Sequence, residues 1–211
     1  MRLFLASQDF GNHAERLSEM IGQNRKSLVI FNARDHKENN GIELQKKIFK
    51  ENNLQFRRLD LRDYFEKPRD LRKFIDTYQP GLVVLLGGNT FLLRRALAQS
   101  GFDKIIQNDI GKDKYVLAGH SAGSIIVGPS LHGFERMDNK KLILPGYDRK
   151  VPWSGLGLIK TRIIPHADTI KYGGVVAKTR RDYFDKKGWK YEVLNDSDVL
   201  VVDGNVSEVL R

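Results

Sequence analysis

The sequence YVLAGHSAGSIIVG, residues Tyr115–Gly128, places a serine between two glycines and an apolar run on either side. The first run is typical of a buried strand, and the second continues as a helix. A strand that passes through a glycine-rich turn directly into a helix is the unit from which parallel sheets are built. We therefore predict a parallel sheet flanked by helices, with Ser121 at the turn between a strand and a helix.

The same alternation extends through the first 128 residues. Apolar runs precede amphipathic segments in four further places, at RLFLAS, SLVIFNA, QFRRLDL and GLVVLLGG. The last segment, residues 191–211, alternates apolar and polar residues and contains the turn pair Asp203-Gly204, which predicts a hairpin. We expect a flavodoxin-like three-layer α/β/α fold with a mostly parallel sheet and a C-terminal β-hairpin, formed as a single domain by residues 1–211.

The composition limits the chemistry available to the chain. It has 211 residues, of which 40% are hydrophobic, and no cysteine, which excludes thiol catalysis and thiolate metal sites. A chain without cysteine suits a reducing cytoplasm. The longest apolar run, GLVVLLGG at Gly81–Gly88, is far below the ~20 residues that span a bilayer. We expect a soluble, cytoplasmic protein with no membrane partner.

The formal net charge of +10 raises the question of an acidic partner. The densest basic segment, KTRRDYFDKKGWKY at Lys178–Tyr191, interleaves basic and aromatic residues. Such a segment can bind phosphates and stack bases, as in a non-catalytic nucleic-acid-binding module. The alternative is an amphipathic helix with its aromatic residues in the core and its charges in water, which we favour. We do not expect a nucleic-acid partner.

The residues GHSAG, Gly119–Gly123, match the G-x-S-x-G pattern of a nucleophile elbow. In such an elbow the backbone N–H of the next residue, Ala122, points toward the oxygen of a bound carbonyl. A second N–H could come from Gly87 or Gly88 in the loop GGNT, which follows the neighbouring strand. The alternatives are a phosphate-binding turn at a helix N-terminus or a turn that serves packing alone.

A reactive serine needs a base, and the chain has five histidines. His166 ends the strand-like run LGLIKTRIIPH, which would bring its imidazole to the same edge of the sheet. His120 adjoins Ser121, but neighbouring side chains diverge on such a turn, so we expect it to form a pocket wall. For the acid that orients His166, Asp168 lies very near in sequence, whereas Asp203 at the hairpin tip could reach the imidazole.

Three motifs in order, GGNTFLLRRAL, AGHSAGSI and IIPHAD, resemble the aspartyl dipeptidase (dipeptidase E) family of serine peptidases. The resemblance covers nearly the whole chain. It implies a fold like that of class I glutamine amidotransferases, with serine in place of their cysteine. It also implies Ser121 as nucleophile, His166 as base and, before the glycine of the final strand pair in VVDG, Asp203 as acid.

The resemblance further implies a peptide-binding pocket. Asp138 matches an acidic position of the family, and Arg180, or after it Arg181, matches an arginine that binds the substrate's aspartyl carboxylate. We add Asn89 and His120 to the predicted pocket, with the amides of Gly88 and Ala122 as the oxyanion hole. The implied substrate is a small peptide, a dipeptide with N-terminal Asp, cleaved through an acyl-enzyme without a metal or other cofactor. We expect a monomer or homodimer. Other hydrolases on this scaffold, namely cyanophycinase-like peptidases, amidases and esterases, are the alternatives.

Overall fold

A seven-stranded sheet in the order β3-β2-β4-β5-β1-β8-β9 forms the centre of the protein. The structure is a computed structural model that describes residues 1–169 and 174–211. The strands are β1 (Arg2–Ala6), β2 (Lys26–Ile30), β3 (Gln55–Leu59), β4 (Leu82–Leu85), β5 (Val116–His120), β6 (Arg162–Ile164), β7 (Tyr191–Val193), β8 (Val199–Asp203) and β9 (Val206–Leu210). The helices are α1 (Ala14–Ile21), α2 (Ile42–Glu51), α3 (Pro68–Tyr78), α4 (Thr90–Ser100), α5 (Phe102–Ile110), α6 (Ala122–Ile125) and α7 (Gly174–Lys186), with 3₁₀ turns at Asn32–Arg34 and Leu61–Tyr64.

The first five strands run parallel to one another, and β8 and β9 are antiparallel additions at one edge. β8 pairs with β1 and then turns back into β9 through Asp203 and Gly204, where Gly204 has φ +61°. Glycine adopts this left-handed conformation without steric cost, which fits the turn. The predicted α/β fold with a mostly parallel sheet and a C-terminal hairpin is therefore confirmed.

Helices cover both faces of the sheet, because the central strands are apolar on both sides. All four residues of β4 are buried. On one face, Phe4 and Val84 pack in a core with Leu17 of α1 and Phe49 of α2. On the other face, the intervening strand residues pack with the apolar sides of α3, α4, α5 and α6. This produces the three layers expected from the strand pattern.

The strand that leads to His166 lies outside the main sheet. β6 is three residues long and pairs in parallel with β7 in a separate two-stranded sheet. In this pair Ile164 lies opposite Val193. The residues that follow β6 and β7 therefore leave the small sheet at the same end.

The basic and aromatic segment forms the end of α7 and the start of β7. Phe184 is fully buried, and its ring contacts those of Phe134, Trp189 and Tyr191. The basic residues around it, Arg181, Lys186, Lys187 and Lys190, are exposed. This is the amphipathic arrangement favoured above, except that Arg180 in the same segment is buried. Across the described ranges, no helix combines the length and apolar character needed to cross a bilayer.

Candidate active site

The carboxyl ends of β2, β4, β5 and β1 lie side by side, since these strands are neighbours in the sheet. Ser7 follows β1, the turn Asn32–Arg34 follows β2, Gly87 and Gly88 follow β4, and Ser121 follows β5. In open parallel sheets this edge is where ligands bind. The topology thus collects polar side chains and glycine-rich backbone at one place.

Ser121 lies at a sharp turn between β5 and α6. Its φ of +51° and ψ of −115° are unusual for a residue with a side chain, and its N–H donates to the Ala6 carbonyl at 3.2 Å. Glycines allow the turn to pack closely. A Cβ on Gly123 would lie 1.9 Å from the Leu85 carbonyl oxygen, and one on Gly87 would lie 2.9 Å from the Ser121 Cβ. The structure therefore has the strained strand-to-helix turn that the G-x-S-x-G pattern predicts.

His166 connects Ser121 to a carboxylate. Its Nε2 lies 2.9 Å from Ser121 Oγ, and its Nδ1 lies 2.6 Å from Asp196 Oδ1. With its proton on Nδ1, the imidazole donates to Asp196 and accepts from the serine hydroxyl. Such an imidazole can remove the hydroxyl proton when the serine attacks a carbonyl, and the adjacent carboxylate stabilises the resulting cation.

The carboxylate against His166 belongs to Asp196, and the expectation that Asp203 lies there is wrong. β8 runs antiparallel to β1, so that Asp203 pairs with Arg2 at the amino end of β1. Ser121 lies at the other end of the strands, beyond the carboxyl ends of β1 and β5. The Asp203 side chain accepts a hydrogen bond from Arg16 at 3.0 Å. The first residue of β8, Val199, pairs with the last residue of β1, Ala6. Asp196 comes just before β8 and therefore lies at the carboxyl end of β1, beside His166.

Three polar residues hold the His166–Asp196 pair. The buried Ser7 hydroxyl accepts from the His166 N–H at 2.7 Å and donates to Asp196 Oδ1 at 3.0 Å. Thr169 donates to Asp196 Oδ2, and Asp168, the other acid considered for His166, accepts from the Asp196 N–H instead. Burial disfavours the ionised form of Asp196, but these hydrogen bonds outweigh it and keep its pKa below the usual range.

His120 is buried next to Ser121 and is neutral over the physiological pH range. Its Nδ1 accepts a hydrogen bond from the Asp9 N–H at 3.0 Å. Burial, against the opposing effect of the Asp9 carboxylate, lowers the pKa of His120 to about 4. The side chain lines the pocket, as expected of a pocket wall.

The glycine loop after β4 brings free amides close to Ser121. Gly88 has φ +150°, and a Cβ there would lie 2.4 Å from the Ala33 carbonyl oxygen. Among the residues described, the N–H groups of Gly87 and Gly88 donate no hydrogen bond. Ala122 is the first residue of α6, where the N–H has no partner within the helix. These amides are available for an oxyanion.

A pocket of about 880 Å³ opens in front of Ser121 and His166, and its lining includes Gly88, Asn89, His120 and Asp138. Asn89 and Asp138 also have structural contacts. The Asn89 side chain caps α4 by accepting from the Leu92 N–H at 2.9 Å and donates to the Asn139 carbonyl. Asp138 accepts from the N–H and the hydroxyl of Thr90. Burial raises the pKa of Asp138, against the effect of these bonds.

The two arginines expected in this pocket lie outside its lining. Arg180 is 4% exposed and lines an adjacent cavity of about 550 Å³ with Glu135 and Tyr183. Arg181 is exposed on α7, because successive helix residues point about 100° apart. Arg180 does lie close enough to Asp138 for each to influence the pKa of the other. The interpretation of Arg181 as a pocket residue is therefore corrected.

Sequence reasoning missed Asp196, Ser7 and Arg34, the last of which also lines the pocket. Asp196 lies beside His166 because the run YEVL pairs in parallel with TRII, and these short apolar runs were only a weak signal for that pairing. Ser7 and Arg34 directly follow predicted strands, but nothing in their sequence context distinguishes them from ordinary loop residues. Within residues 1–169 and 174–211, no cluster of three or more His, Asp or Glu is arranged to hold a metal ion.

Ser121 is hydrogen-bonded to His166, and His166 is hydrogen-bonded to the carboxylate of Asp196. Together with the free backbone amides beside Ser121, this arrangement defines the site of a serine hydrolase. The model of peptidase family S51 matches residues 3–207, and the chain belongs to this family, the dipeptidase E family of serine peptidases. This confirms the resemblance seen in the sequence.

Individual relatives agree with this membership. An uncharacterized peptidase of Listeria innocua serovar 6a is 31% identical over 126 residues, 59% of this chain and 56% of the relative. Another, from Listeria monocytogenes serovar 1/2a, is 30% identical over 106 residues, 49% of this chain and 48% of the relative. The chain therefore matches about half the length of these relatives.

Two solved structures share the fold. A Listeria monocytogenes EGD-e protein, provisionally assigned as a peptidase E, has a TM-score of 0.78 and 22% identity, with 100% of this chain and 98% of that chain covered. A peptidase from an acI-B1 Actinobacterium has a TM-score of 0.65 and 18% identity, with 99% and 86% covered. At these identities the likeness concerns the fold alone.

Proposed function

We propose that this protein is a serine peptidase that hydrolyses small peptides, in particular dipeptides with N-terminal Asp, through an acyl-enzyme on Ser121. The observation that carries the proposal is the continuous hydrogen-bonded chain from Ser121 Oγ through His166 to Asp196. Membership of peptidase family S51 supports the same reaction class.

In the proposed mechanism, His166 Nε2 takes the proton from Ser121 Oγ as the oxygen attacks the scissile carbonyl. The N–H groups of Ala122 and Gly88 stabilise the oxyanion that forms. His166 then donates its proton to the leaving amine, and the C–N bond breaks to leave an ester on Ser121. Water, deprotonated by His166, hydrolyses this ester and restores the serine. Asp196 keeps the imidazole oriented and stabilises its cation in both halves.

The N-terminal Asp specificity is supported by the family resemblance and by the charges around the pocket. Asp138, held at the pocket wall by Thr90, can pair with the ammonium group of a peptide N-terminus. Arg180 lines the adjacent cavity and is near enough to Asp138 to influence its pKa, and the resemblance implies it as the partner for an acidic side chain. A peptide with a cationic N-terminus and an anionic side chain complements this pair of charges.

The test combines active-site labelling with hydrolysis by the intact protein. Fluorophosphonate should add one phosphonyl group to wild type and none to Ser121→Ala. The substitution should lower kcat/KM for Asp-Leu by at least about a thousandfold while leaving the thermal unfolding midpoint nearly unchanged. More than a tenth of wild-type activity in pure Ser121→Ala would contradict the serine mechanism.

A substrate panel separates the alternatives on the same scaffold. Asp-Leu should be hydrolysed faster than Asn-Leu, β-aspartyl-leucine and p-nitrophenyl acetate. Preference for the β-aspartyl peptide would favour a cyanophycinase-like peptidase, and preference for the ester would favour an esterase. Salt-dependent binding of single-stranded oligonucleotides without any labelling of Ser121 would favour the nucleic-acid-binding module.

The setting of the reaction is part of the proposal. We infer a cytoplasmic location, which a chain without cysteine suits. We propose a monomer or homodimer of one peptidase domain that needs no cofactor, because the serine mechanism is complete with side chains and backbone amides. Light scattering after gel filtration measures the oligomeric state, and activity after dialysis against EDTA tests the absence of a metal.

A further inference from the structure

Arg34 enters the active-site pocket from the turn that follows β2. Its Nε donates to the Gly87 carbonyl at 2.8 Å, and its Nη1 donates to the Asn40 carbonyl at 3.0 Å. Both bonds are to neutral acceptors. The guanidinium therefore has a fixed position on the pocket wall, with further donors on Nη1 and Nη2 for another partner.

Among the described residues, Arg34 has no carboxylate counterion. In the part of the chain that the structure describes, no carboxylate oxygen lies within 4.0 Å of its guanidinium. Partial burial lowers the pKa of Arg34, and the more distant Asp9 only partly opposes this. A half-buried cation without an anion beside it loses solvation that it does not recover from the protein.

The two carboxylates in the described lining of the pocket, those of Asp9 and Asp138, form no ion pair with Arg34. Asp9 accepts a hydrogen bond from Gln45 at 3.0 Å, and Asp138 accepts from Thr90. His120 is neutral and contributes no negative charge. Since both carboxylates have other hydrogen-bond partners, a bound anion is the partner that best fits the remaining donors of Arg34.

Arg34 is also close to the reacting serine and rigidly held. Gly87, which accepts its Nε–H, lies so near Ser121 that a Cβ on Gly87 would be 3.5 Å from the serine Oγ. The turn before Arg34 is anchored by Asn32, which donates to Asp35 at 2.8 Å and to Asp60 at 3.1 Å. An anionic group bound by Arg34 would lie within a dipeptide's length of Ser121.

We propose that Arg34 is a specificity-determining residue that binds a carboxylate of the peptide substrate. The inference rests on the proposed function and names an anion-binding group at the same site. The carboxylate has two sources in a dipeptide such as Asp-Leu, the side chain of the N-terminal Asp and the C-terminal carboxylate. Guanidinium groups bind either one through paired, charge-assisted hydrogen bonds.

The experiment measures binding, so that it does not depend on catalysis. In a Ser121→Ala background, calorimetry determines the Kd of Asp-Leu, Asn-Leu and Asp-Leu-amide, with and without Arg34→Met. Arg180→Met tests the rival arginine, and Arg181→Met is the charge-matched control, since Arg181 is exposed outside the pocket. Arg34→Gln keeps a donor for the Gly87 carbonyl and replaces Arg34→Met where that variant fails to fold.

We expect Arg34→Met to remove a preference of about 10- to 100-fold for one carboxylate, whereas Arg181→Met keeps it. Loss of the Asp-Leu over Asn-Leu preference identifies the side chain as the ligand, and loss of the Asp-Leu over Asp-Leu-amide preference identifies the C-terminus. The inference is overturned if all three Kd values rise together, if only Arg180→Met removes a preference, or if none of the three peptides binds. Failure of fluorophosphonate to label Ser121 in wild type would overturn the proposed function without altering this result.

Discussion

The residue that sequence reasoning assigned least accurately is the acid beside His166. Asp196 and Asp203 are both aspartates near the end of the chain, and both lie close to strand β8. Only Asp196 touches the imidazole, while Asp203 forms an ion pair with Arg16 whose partners are about one-third exposed. Removing the negative charge from each should therefore have very different consequences.

Asp196→Asn should lower kcat roughly a hundredfold or more, because the amide no longer stabilises the imidazole cation and can favour the wrong tautomer. Asp203→Asn should leave kcat within about twofold of wild type and lower stability by less than about 1 kcal/mol, as is usual for an exposed ion pair. Steady-state kinetics on Asp-Leu checks both. A larger kinetic loss in Asp203→Asn than in Asp196→Asn would contradict the assignment.

At the scale of elements, the turn between β5 and α6 depends on direct contact between backbones. Gly123 lies where α6 crosses β4, and a methyl group there would be 1.9 Å from the Leu85 carbonyl oxygen. The oxygen belongs to the sheet and cannot move aside as a flexible side chain could. The glycine is therefore required by packing, independently of any catalytic role.

Gly123→Ala should lower the free energy of unfolding by about 3 kcal/mol or more, because helix and strand must separate to admit the methyl group. Gly111→Ala is the matched control. Gly111 has an ordinary helical φ of −69° and nothing within 4 Å of an added Cβ. Its substitution should change stability by less than about 1 kcal/mol. Urea unfolding followed by circular dichroism checks both, and equal effects would contradict the packing argument.

Local pattern was enough to predict most elements but not every contact between them. The five strand-and-helix units and the final hairpin follow from apolar periodicity and turn residues, and Ser121 and His166 follow from motifs next to them. The pairing of β6 with β7 is a contact between distant segments, and neither three-residue strand has a strong pattern of its own. Asp196 was missed because its position depends on that pairing.

At the scale of the whole molecule, a polar cluster ties together three connecting segments. Asn32 donates to Asp60 and to the Tyr147 hydroxyl, and Asp60 accepts from Arg62. Burial disfavours the ionised form of Asp60, but the bonds from Arg62 and Asn32 outweigh it and lower its pKa to about 2. Ionised Asp60 thus stabilises the folded chain.

A carboxylate whose folded-state pKa is depressed stabilises the protein above its unfolded-state pKa, and this contribution is lost as the pH falls through the folded-state value. Asp60→Asn should lower the free energy of unfolding by on the order of 1 kcal/mol near pH 6, after allowance for solvent screening. The difference from wild type should shrink between about pH 4 and pH 2. Urea titrations across this range check it, with the exposed Asp63→Asn as control. A difference that does not change with pH would contradict the role of the charge.

The separate two-stranded sheet has a consequence for the order in which activity arises during synthesis. Ser121 is held by strands from the first part of the chain, whereas His166 and Asp196 come together only when β6 meets β7. In the proposed mechanism, a chain that ends before β7 has Ser121 and His166 but lacks the carboxylate of Asp196. We therefore expect hydrolysis to begin late in synthesis, after the segment that contains β7 and Asp196 has left the ribosome.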